Sequence, residues 1–315
     1  KDIFVTNDFN NSDHLYVNQK NGTFKEASKQ YFKHGSYNAM GNDVVDLNND
    51  GLQDIVTVDM NAKDSYRKKM NMNPNSYQGY INQMKYNYNL QYVRNTLQLN
   101  QGFIHTQRED SSNHPVFSEI GFLAGIAETD WSWSSWIADL DNDGLQDMCI
   151  VNGINRDAID MDLASYAVKK KTDKFMWLIN SMPKTRLRNY MFRNKCNLQF
   201  QDISDAWGFS EKLSTNGAIY ADLDNDGDLD VLLNNIDSTM AVYRNYVTEN
   251  KSGSYVKIAL KGPGKNTKGL GAKIEVIAKD AKGKETRHFR EMHVNRGFLS
   301  CAEPIIHVGL GSAVA

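Results

Sequence analysis

Three acidic segments, at residues 46–54, 139–147 and 222–230, share one spacing of oxygen-bearing side chains. Each carries a carboxylate or an amide at its first, third, fifth and ninth positions and a glycine at its sixth. Side-chain oxygens at this spacing form the flexible cage that Ca²⁺ prefers, and the backbone carbonyl of the seventh residue adds a further ligand. The glycine permits the sharp turn that brings the oxygens together, because it adopts positive φ without steric cost. The segments therefore predict about three Ca²⁺ sites.

The predicted metal ligands follow from these positions. In the first segment they are Asp46, Asn48, Asp50, the carbonyl of Leu52 and Asp54. In the second they are Asp139, Asp141, Asp143, the carbonyl of Leu145 and Asp147. In the third they are Asp222, Asp224, Asp226, the carbonyl of Asp228 and Asp230. Because every ligand is an oxygen, we expect the ion to hold the chain together rather than to catalyse a reaction.

The flanking residues distinguish between two kinds of calcium loop. An EF-hand loop has a bidentate acidic residue at its twelfth position and leads into a helix. Here the twelfth positions are Thr57, Ile150 and Leu233, which offer no carboxylate. Runs of apolar and β-branched residues precede and follow each segment, so each segment is predicted to be the tip of a β-hairpin. The alternative is a solvated turn without metal, but the repetition of the whole pattern favours a metal site.

Each hairpin is followed by two further strand signals. The first of these covers residues 14–18, 95–100, 190–194 and 241–245, and the second covers residues 23–26, 116–119 and 199–202. Four antiparallel strands that repeat at intervals of about 40 residues or more are typical of a β-propeller blade rather than of a sandwich. The predicted fold class is therefore all-β: a β-propeller of four-stranded blades, partial in this chain, with helical insertions and a small C-terminal β-domain.

These motifs resemble two known families. Residues 1 to 245 resemble the FG-GAP, or VCBS, repeats of integrin α-subunit propellers and of exported bacterial proteins. Residues 254 to 311 are similar to the ASPIC/UnbV domain, on the motifs around Gly269 and Gly271, around Gly297 and Phe298, and at 307–311. The predicted domains are blades at 1–250 and an ASPIC/UnbV-like β-domain at 251–315. The resemblance points to bacterial (Bacteroidota) relatives of cartilage acidic protein.

The ends of the chain prompt a further expectation. Lys1 and Asp2 match the end of an acidic segment and its outgoing strand. We therefore expect the chain to begin inside a repeat, with several blades N-terminal to it. The family pattern also continues beyond the motif at 307–311, so the C-terminal domain is expected to be incomplete.

Composition excludes several classes of partner. The chain of 315 residues has 36 basic and 38 acidic residues and a net charge of -2, which argues against nucleic acid and anionic membrane surfaces. No apolar run approaches the length of about 20 residues that a membrane span needs, so a membrane-spanning protein is not expected. Cys149, Cys196 and Cys301 are too scattered for a disulfide framework or a zinc site.

Two insertions mark a predicted binding face. The first positions of successive acidic segments lie 93 and 83 residues apart, well above the blade length of about 40 residues. In both repeats the extra residues fall between the second and third strands, at residues 60–93 and 153–188. Because antiparallel strands reverse direction, both insertions should lie at the end of the blades opposite the acidic loops. The candidate partner-binding residues there are Tyr77, Tyr80, Tyr86, Trp131, Trp133 and Trp177. Two alternatives are open: packing of the apolar residues against the propeller, and a solvated, tyrosine-rich cap.

The favoured function is a calcium-stabilised, non-enzymatic binding module for a protein or glycan. The resemblance implies an extracellular or outer-membrane location, with a lipid anchor on a missing N-terminus and the periplasm as an alternative. It also implies a place beside outer-membrane transport or secretion machinery. A competing hypothesis is a calcium-dependent polysaccharide lyase or hydrolase, although no nucleophile motif is evident and the seven histidines cannot be grouped. A purely structural spacer is a third possibility.

Overall fold

The structure is a computed structural model that describes residues 1–9, 11–71, 76–103, 114–157, 160–170, 179–250, 253–280 and 282–312. Strands predominate and the helices are short, so the protein belongs to the all-β class. The helices are α1 (Ser28–Tyr31), α2 (Ser65–Met70), α3 (Tyr77–Lys85), α4 (Gly121–Ala124) and α5 (Met161–Lys170). Among the described residues, no helix combines the length and the apolar character needed to cross a membrane.

Four antiparallel sheets follow one another along the chain. The first contains β1 (Ile3–Val5), β2 (His14–Asn18) and β3 (Phe24–Glu26), in that order. The second has the order β10-β9-β6-β5, with β5 (Asn42–Val45), β6 (Asp54–Thr57), β9 (Thr96–Asn100) and β10 (Phe117–Glu119). The third has the order β15-β14-β12-β11-β7, with β7 (Met60–Asn61), β11 (Asp130–Ala138), β12 (Asp147–Asn152), β14 (Tyr190–Asn194) and β15 (Phe200–Asp202). The fourth has the order β17-β18-β19, with β17 (Thr215–Ala221), β18 (Asp230–Asn235) and β19 (Ala241–Tyr243).

Short pairs of strands complete the first part of the chain. They are β4 (Gly35–Ser36) parallel to β8 (Gln91–Tyr92), and β13 (Leu187–Arg188) antiparallel to β16 (Lys212–Leu213). The strands predicted from the sequence are confirmed, with small differences at their ends. The acidic segments connect β5 to β6, β11 to β12 and β17 to β18, and are called loop 1, loop 2 and loop 3 below. A strand follows each loop, as expected for hairpin tips and unlike an EF-hand.

The sheets stack face to face around a row of neighbouring inner strands. One buried apolar cluster joins the second and third sheets and another joins the third and fourth. The Asp43 carboxylate on β5 accepts a hydrogen bond from the Ile137 N–H on β11 at 2.9 Å. The Trp136 ring on β11 meets the Tyr220 ring on β17 edge to face, with centroids 5.2 Å apart. The inner strands β5, β11 and β17 are therefore adjacent, as in successive blades of a propeller.

The C-terminal strands form a separate small β-region with its own apolar core. They are β20 (Ser254–Ala259), β21 (Lys273–Lys279), β22 (Glu285–Glu291), β23 (Asn295–Arg296), β24 (Ser300–Cys301) and β25 (Ile305–Gly311). β20 pairs with β25, β21 with β22, and β23 with β24. This region packs against the loop end of the blades, an arrangement that the sequence did not predict.

The β23–β24 hairpin lies along the inner strands of the blades. Arg296 forms an ion pair with Asp43 of β5, with Nη1 3.0 Å from Oδ1. The Phe298 N–H donates to the Ser134 hydroxyl of β11, and the Phe298 ring packs edge to face on Trp133. Gly297 has a φ of 53°, and a Cβ at this position would lie 2.2 Å from the Ser134 hydroxyl oxygen. The hairpin therefore depends on a glycine at its point of closest approach to the blades.

The buried Asp43 and Arg296 pair generates a prediction about stability. The Asp43 side chain is 1% exposed and that of Arg296 is 11% exposed. The Asp43→Asn variant leaves Arg296 buried without a carboxylate, so we expect the free energy of unfolding at pH 7 to fall by about 3–5 kcal/mol in urea titrations. Glu275→Gln is the matched control, because Glu275 pairs with Arg287 on the surface, and we expect it to cost about 1 kcal/mol or less.

The ion pair of Asp43 and Arg296 also predicts how the free energy of unfolding depends on pH. Burial opposes ionisation of Asp43, but Arg296 and the nearby His293 hold its pKa below the ordinary value of 3.8. As the pH falls, the unfolded chain therefore takes up the proton first, so the contribution of the ionised pair is present above about pH 4 and is lost on acidification. The difference in unfolding free energy between the parent and Asp43→Asn should therefore narrow as the pH is lowered from 5 to 3. A constant difference between pH 3 and pH 7 would contradict this assignment.

Candidate metal sites and binding face

The three loops share one backbone conformation. Their fourth residues, Asn49, Asn142 and Asn225, have φ values of 58°, 56° and 61°. Their glycines, Gly51, Gly144 and Gly227, have φ values of 84°, 93° and 97°. Asparagine is one of the few residues besides glycine that adopts left-handed φ readily. The repeated asparagine at position four is therefore explained by the backbone, a role that the sequence reasoning did not assign.

Hydrogen bonds inside each loop turn its carboxylates inward. The glycine N–H donates to the first Asp at 2.7 Å in loop 1, 2.9 Å in loop 2 and 3.1 Å in loop 3. The seventh N–H donates to the fifth Asp at 2.8, 2.9 and 3.0 Å in the same order. In loops 2 and 3 these bonds fix Oδ2 of the first Asp, at Asp139 and Asp222, and do not use its Oδ1.

The ninth Asp of each loop ties three strands together. One of its oxygens accepts the N–H of the residue after the first Asp, at 3.0 to 3.1 Å. The other accepts the N–H of an Asn at the end of the third strand. These pairs are Asp2 with Asn18, Asp54 with Asn100, Asp147 with Asn194 and Asp230 with Asn245, at 2.8, 2.8, 2.9 and 2.8 Å. The asparagines were missed as part of the site, although their recurrence in the sequence was a signal for them.

Loops 2 and 3 contain a buried oxygen that lacks a hydrogen-bond partner among the described residues. These oxygens are Asp139 Oδ1 and Asp222 Oδ1. Asp139, Asp141 and Asp147 each place one carboxylate oxygen within 4.8 Å of the others, and so do Asp222, Asp224 and Asp226. A buried carboxylate oxygen without a donor is unfavourable unless a cation is bound to it. The residues of loops 2 and 3 therefore fit a bound cation such as Ca²⁺, and each cluster could hold one ion.

The electrostatics of these loops support the same interpretation. Burial raises the pKa of Asp139 to about 7, and it raises that of Asp54 to about 7 as well. Burial, followed by repulsion from Asp141, raises the pKa of Asp147 well above its ordinary value. A divalent cation would relieve both the burial penalty and the repulsion among the carboxylates.

Loop 1 differs from the other loops. Asp46 accepts hydrogen bonds from the N–H groups of Asp50 and Gly51 with its two oxygens. The Asn48 amide donates to Asp50 at 2.9 Å. Loop 1 has Asn48 at its third position, where loops 2 and 3 have an aspartate, so loop 1 has less negative charge to offer a cation. Its ligand set therefore stays a prediction from spacing alone.

Arginines from the third strands face the outer carboxylates of loops 2 and 3. Arg193 Nε lies 2.6 Å from Asp141 and its Nη2 lies 3.2 Å from Asp143. Arg244 Nε lies 2.7 Å from Asp224 and its Nη2 lies 3.1 Å from Asp226. Each arginine directly precedes the asparagine that recurs at the end of the third strand, whereas Leu99 holds that place beside loop 1. This second source of positive charge was also missed from the sequence.

The C-terminal region contacts all three loops. Arg290 donates to the Asn49 side chain in loop 1 at 2.8 Å. The Gly309 N–H donates to Asp139 Oδ2 in loop 2 at 2.9 Å. Lys257 Nζ lies 2.6 Å from Asp222 Oδ2 in loop 3. Burial lowers the pKa of His307, which contacts Asn142, to about 4, so this histidine is neutral at pH 7.

The two insertions form one platform at the opposite end of the blades. Strand β7, which leads into the first insertion, pairs with the beginning of β11, far from loop 2. Arg67 of α2 forms ion pairs with Asp130 at 2.6 Å and with Asp157 at 2.7 Å. Asn71 and Asp160 form an isolated bridge between the insertions. Helices α2 and α3 lie in the first insertion and α5 lies in the second. Only the second insertion has a helical spacing of apolar residues.

The tyrosines of the first insertion are exposed on this platform. The exposed fractions are 79% for Tyr77, 41% for Tyr80 and 61% for Tyr86. Trp131 is half-buried at the start of β11, and Trp133 is half-buried against Phe298. Trp177 lies outside the described residues. The structure thus places Tyr77 and Tyr80 on helix α3 and Tyr86 at its C-terminal end, and their role in binding stays a prediction.

Comparison with protein families found one match near each end of the chain. Residues 1–57, which include loop 1, match the family model described as FG-GAP-like repeat. Residues 262–315 match the family model described as ASPIC and UnbV. A search of curated proteins found no match to the chain. The two matches support an architecture of FG-GAP-like repeats followed by an ASPIC/UnbV region, and they suggest a binding module of the extracellular type.

The orphaned carboxylate oxygens predict the outcome of a calcium titration. We expect Asp139→Asn and Asp222→Asn each to lower the number of bound Ca²⁺ ions by about one in isothermal titration calorimetry, because each removes the charge of a first ligand. At tenfold excess over Kd, each occupied site should raise the free energy of unfolding by about 1.4 kcal/mol. The control Asp205→Asn changes a 73% exposed carboxylate outside the loops and should leave the stoichiometry unchanged. Equal stoichiometry in all three variants would refute the metal assignment.

Proposed function

We propose that this protein is a calcium-stabilised binding module that recognises a protein partner through its insertion platform. The observation that carries the proposal is helix α3, which presents Tyr77, Tyr80 and Met84 to solvent and buries none of its residues. Of the four aromatic and apolar side chains of α3, only Ile81 is half-buried, so the helix gains little stabilisation from apolar burial. Tyrosine and methionine are enriched at the centres of protein interfaces, where their exposed area becomes buried.

Hydrogen bonds hold helix α3 in a defined position, which supports its use as a preformed surface. The Ser76 side chain caps the start of α3 by accepting the Gly79 N–H at 3.0 Å. The Gln83 side chain accepts the N–H of Gln91 in β8 at 3.2 Å, and Lys29 of α1 donates to the Asn87 carbonyl at 3.1 Å. The last two bonds tie the C-terminal end of the helix to β8 and to α1. A preformed surface loses less conformational entropy on binding than a mobile loop does.

The proposed role of Ca²⁺ is structural. Bound ions would neutralise the buried carboxylates of loops 2 and 3 and so hold the hairpin tips against the C-terminal region. If the affinities resemble those of extracellular modules, at about 10⁻⁴ to 10⁻³ M, the sites would fill only at millimolar calcium. This requirement fits an exported protein at a cell surface or outer membrane better than a protein of the cytosol. A role as an accessory subunit of outer-membrane transport or secretion machinery is part of the same proposal.

A non-enzymatic role is also proposed. The most plausible acid–base group of the described residues is the cluster of His34, Arg94 and Glu119 beside the insertions. Glu119 accepts hydrogen bonds from Arg94 at 3.0 Å and from the N–H groups of Leu97 and Gly121. Its side chain is 6% exposed. Burial opposes its ionisation, but the His34 hydrogen bond and these donors hold its pKa below the ordinary value, so it is a weak base.

The tyrosines of α3 provide the test of the binding proposal. In the double variant Tyr77→Ser and Tyr80→Ser, we expect the amount of native-envelope protein retained by the immobilised chain to fall about tenfold or more, because aromatic anchors dominate interface energetics. The retained proteins are identified by mass spectrometry, and binding of the purified candidate is measured by calorimetry in millimolar Ca²⁺.

The matched control is Phe24→Ser, which removes an exposed aromatic ring from β3, away from the platform. It should retain the same proteins as the parent chain. Unchanged retention by the double variant would contradict the proposal, and selective binding on a glycan array would replace the protein partner with a carbohydrate. Release of unsaturated or reducing sugars from acidic polysaccharides would favour the lyase or hydrolase alternative.

A further inference from the structure

Strand β20 of the C-terminal region lies against loop 3. Tyr255 and Lys257 are two residues apart on β20, so their side chains share one face of the strand. The Tyr255 hydroxyl donates to the Asp226 carbonyl at 3.4 Å, and the Lys257 ammonium donates to Asp222 Oδ2 at 2.6 Å. A Cβ at Gly227 would lie 1.9 Å from the Tyr255 hydroxyl oxygen. This face of β20 therefore fits closely against loop 3.

The two oxygens of the Asp222 carboxylate have different surroundings. Oδ2 accepts hydrogen bonds from the Gly227 N–H at 3.1 Å and from Lys257 Nζ at 2.6 Å. Oδ1 is buried and has no hydrogen-bond partner among the described residues. The oxygen left for a cation is therefore Oδ1, so a bound ion and the Lys257 ammonium would share one carboxylate.

Loop 2 shows what the lysine adds. The Gly144 N–H and the Gly309 N–H both donate to Asp139 Oδ2 at 2.9 Å, and Asp139 Oδ1 also lacks a hydrogen-bond partner in the described part of the chain. The first aspartates of loops 2 and 3 thus share one arrangement, with one donor from the loop glycine and one from the C-terminal region. The second donor is a neutral backbone N–H in loop 2 and an ammonium in loop 3. A neutral donor is sufficient to hold Oδ2, so the distinctive contribution of Lys257 is its charge.

We propose that Lys257 lowers the affinity of loop 3 for Ca²⁺, because it holds a positive charge on the first aspartate of the site. The inference rests on the calcium binding proposed above. A unit positive charge about 6 Å from a divalent ion weakens its binding about tenfold at the dielectric constant of water, and more in a buried site. Since coupling between two bound groups is reciprocal, the ion weakens the pair of Lys257 with Asp222 by the same factor. Occupancy of loop 3 is therefore coupled to a contact made by the C-terminal region.

Calcium titrations test the role of Lys257. They use the full chain with Asp139→Asn, which removes the first ligand of loop 2, and they follow the site that Asp222→Asn abolishes. In isothermal titration calorimetry we expect Lys257→Met to tighten Ca²⁺ binding at that site about tenfold. Lys257→Arg should restore the parental affinity, because it keeps the charge. Lys261→Met is the matched control, since it removes an exposed lysine from the same region, and it should leave the affinity unchanged.

Urea unfolding gives a second measurement of the same coupling. In the presence of a chelator, Lys257→Met leaves the buried Asp222 carboxylate without its ammonium, so the variant should lose free energy of unfolding relative to the parent. In saturating Ca²⁺ this loss should be smaller by about 1.4 kcal/mol, which is the equivalent of a tenfold change in affinity. Lys257→Gln offers a neutral N–H donor and replaces Lys257→Met in both measurements if the latter does not fold.

The inference and the calcium proposal fail in different ways. Equal or weaker calcium binding after removal of the Lys257 charge would overturn the role of this lysine and leave calcium binding at loop 3 intact. Equal tightening by Lys261→Met would also overturn it, because the effect would then belong to the general charge of the C-terminal region. The absence of any calcium site that depends on Asp222 would contradict metal binding at loop 3 itself, and the inference would fall with it.

Discussion

The structure depends on the compensation of negative charge buried at the hairpin tips. The first carboxylates of loops 2 and 3 lie in the junction between the blades and the C-terminal region, where water is largely excluded. Backbone N–H groups, Lys257 and two arginines balance part of this charge, but Asp139 Oδ1 and Asp222 Oδ1 lack a donor among the described residues. A bound cation would complete the balance, because isolated buried carboxylates are strongly unfavourable.

Apolar burial and polar contacts contribute differently to this fold. The clusters between sheets supply the non-directional stabilisation that drives the blades together. They do not set the register by themselves. The ninth Asp of each loop does so, because its two oxygens bind the start of the loop and the end of the third strand at once. A slip of one residue would break both bonds and turn the buried face of the strand toward solvent.

The sequence predicts the repeated parts of this structure and not the contacts between distant parts. Spacing and alternation suffice for the hairpins and the third strands, because these depend on neighbours within a few residues. The contact of Arg290 with Asn49 joins residues 241 positions apart, and no local pattern encodes it. Helical insertions were predicted, but the position of helix α3 was not, because it buries no residue and its sequence lacks the apolar periodicity that reveals a helix.

The position of the C-terminal region limits where recognition can occur. Lys257, Arg290 and Gly309 contact loops 3, 1 and 2, so the loop end of the blades is already covered by the chain itself. The β23–β24 hairpin occupies the space along the inner strands. A partner of appreciable size would therefore have to meet the insertion platform or the outer rim of the sheets. The acidic loops would then act on binding indirectly, because they fix the blades on which those outer surfaces are built.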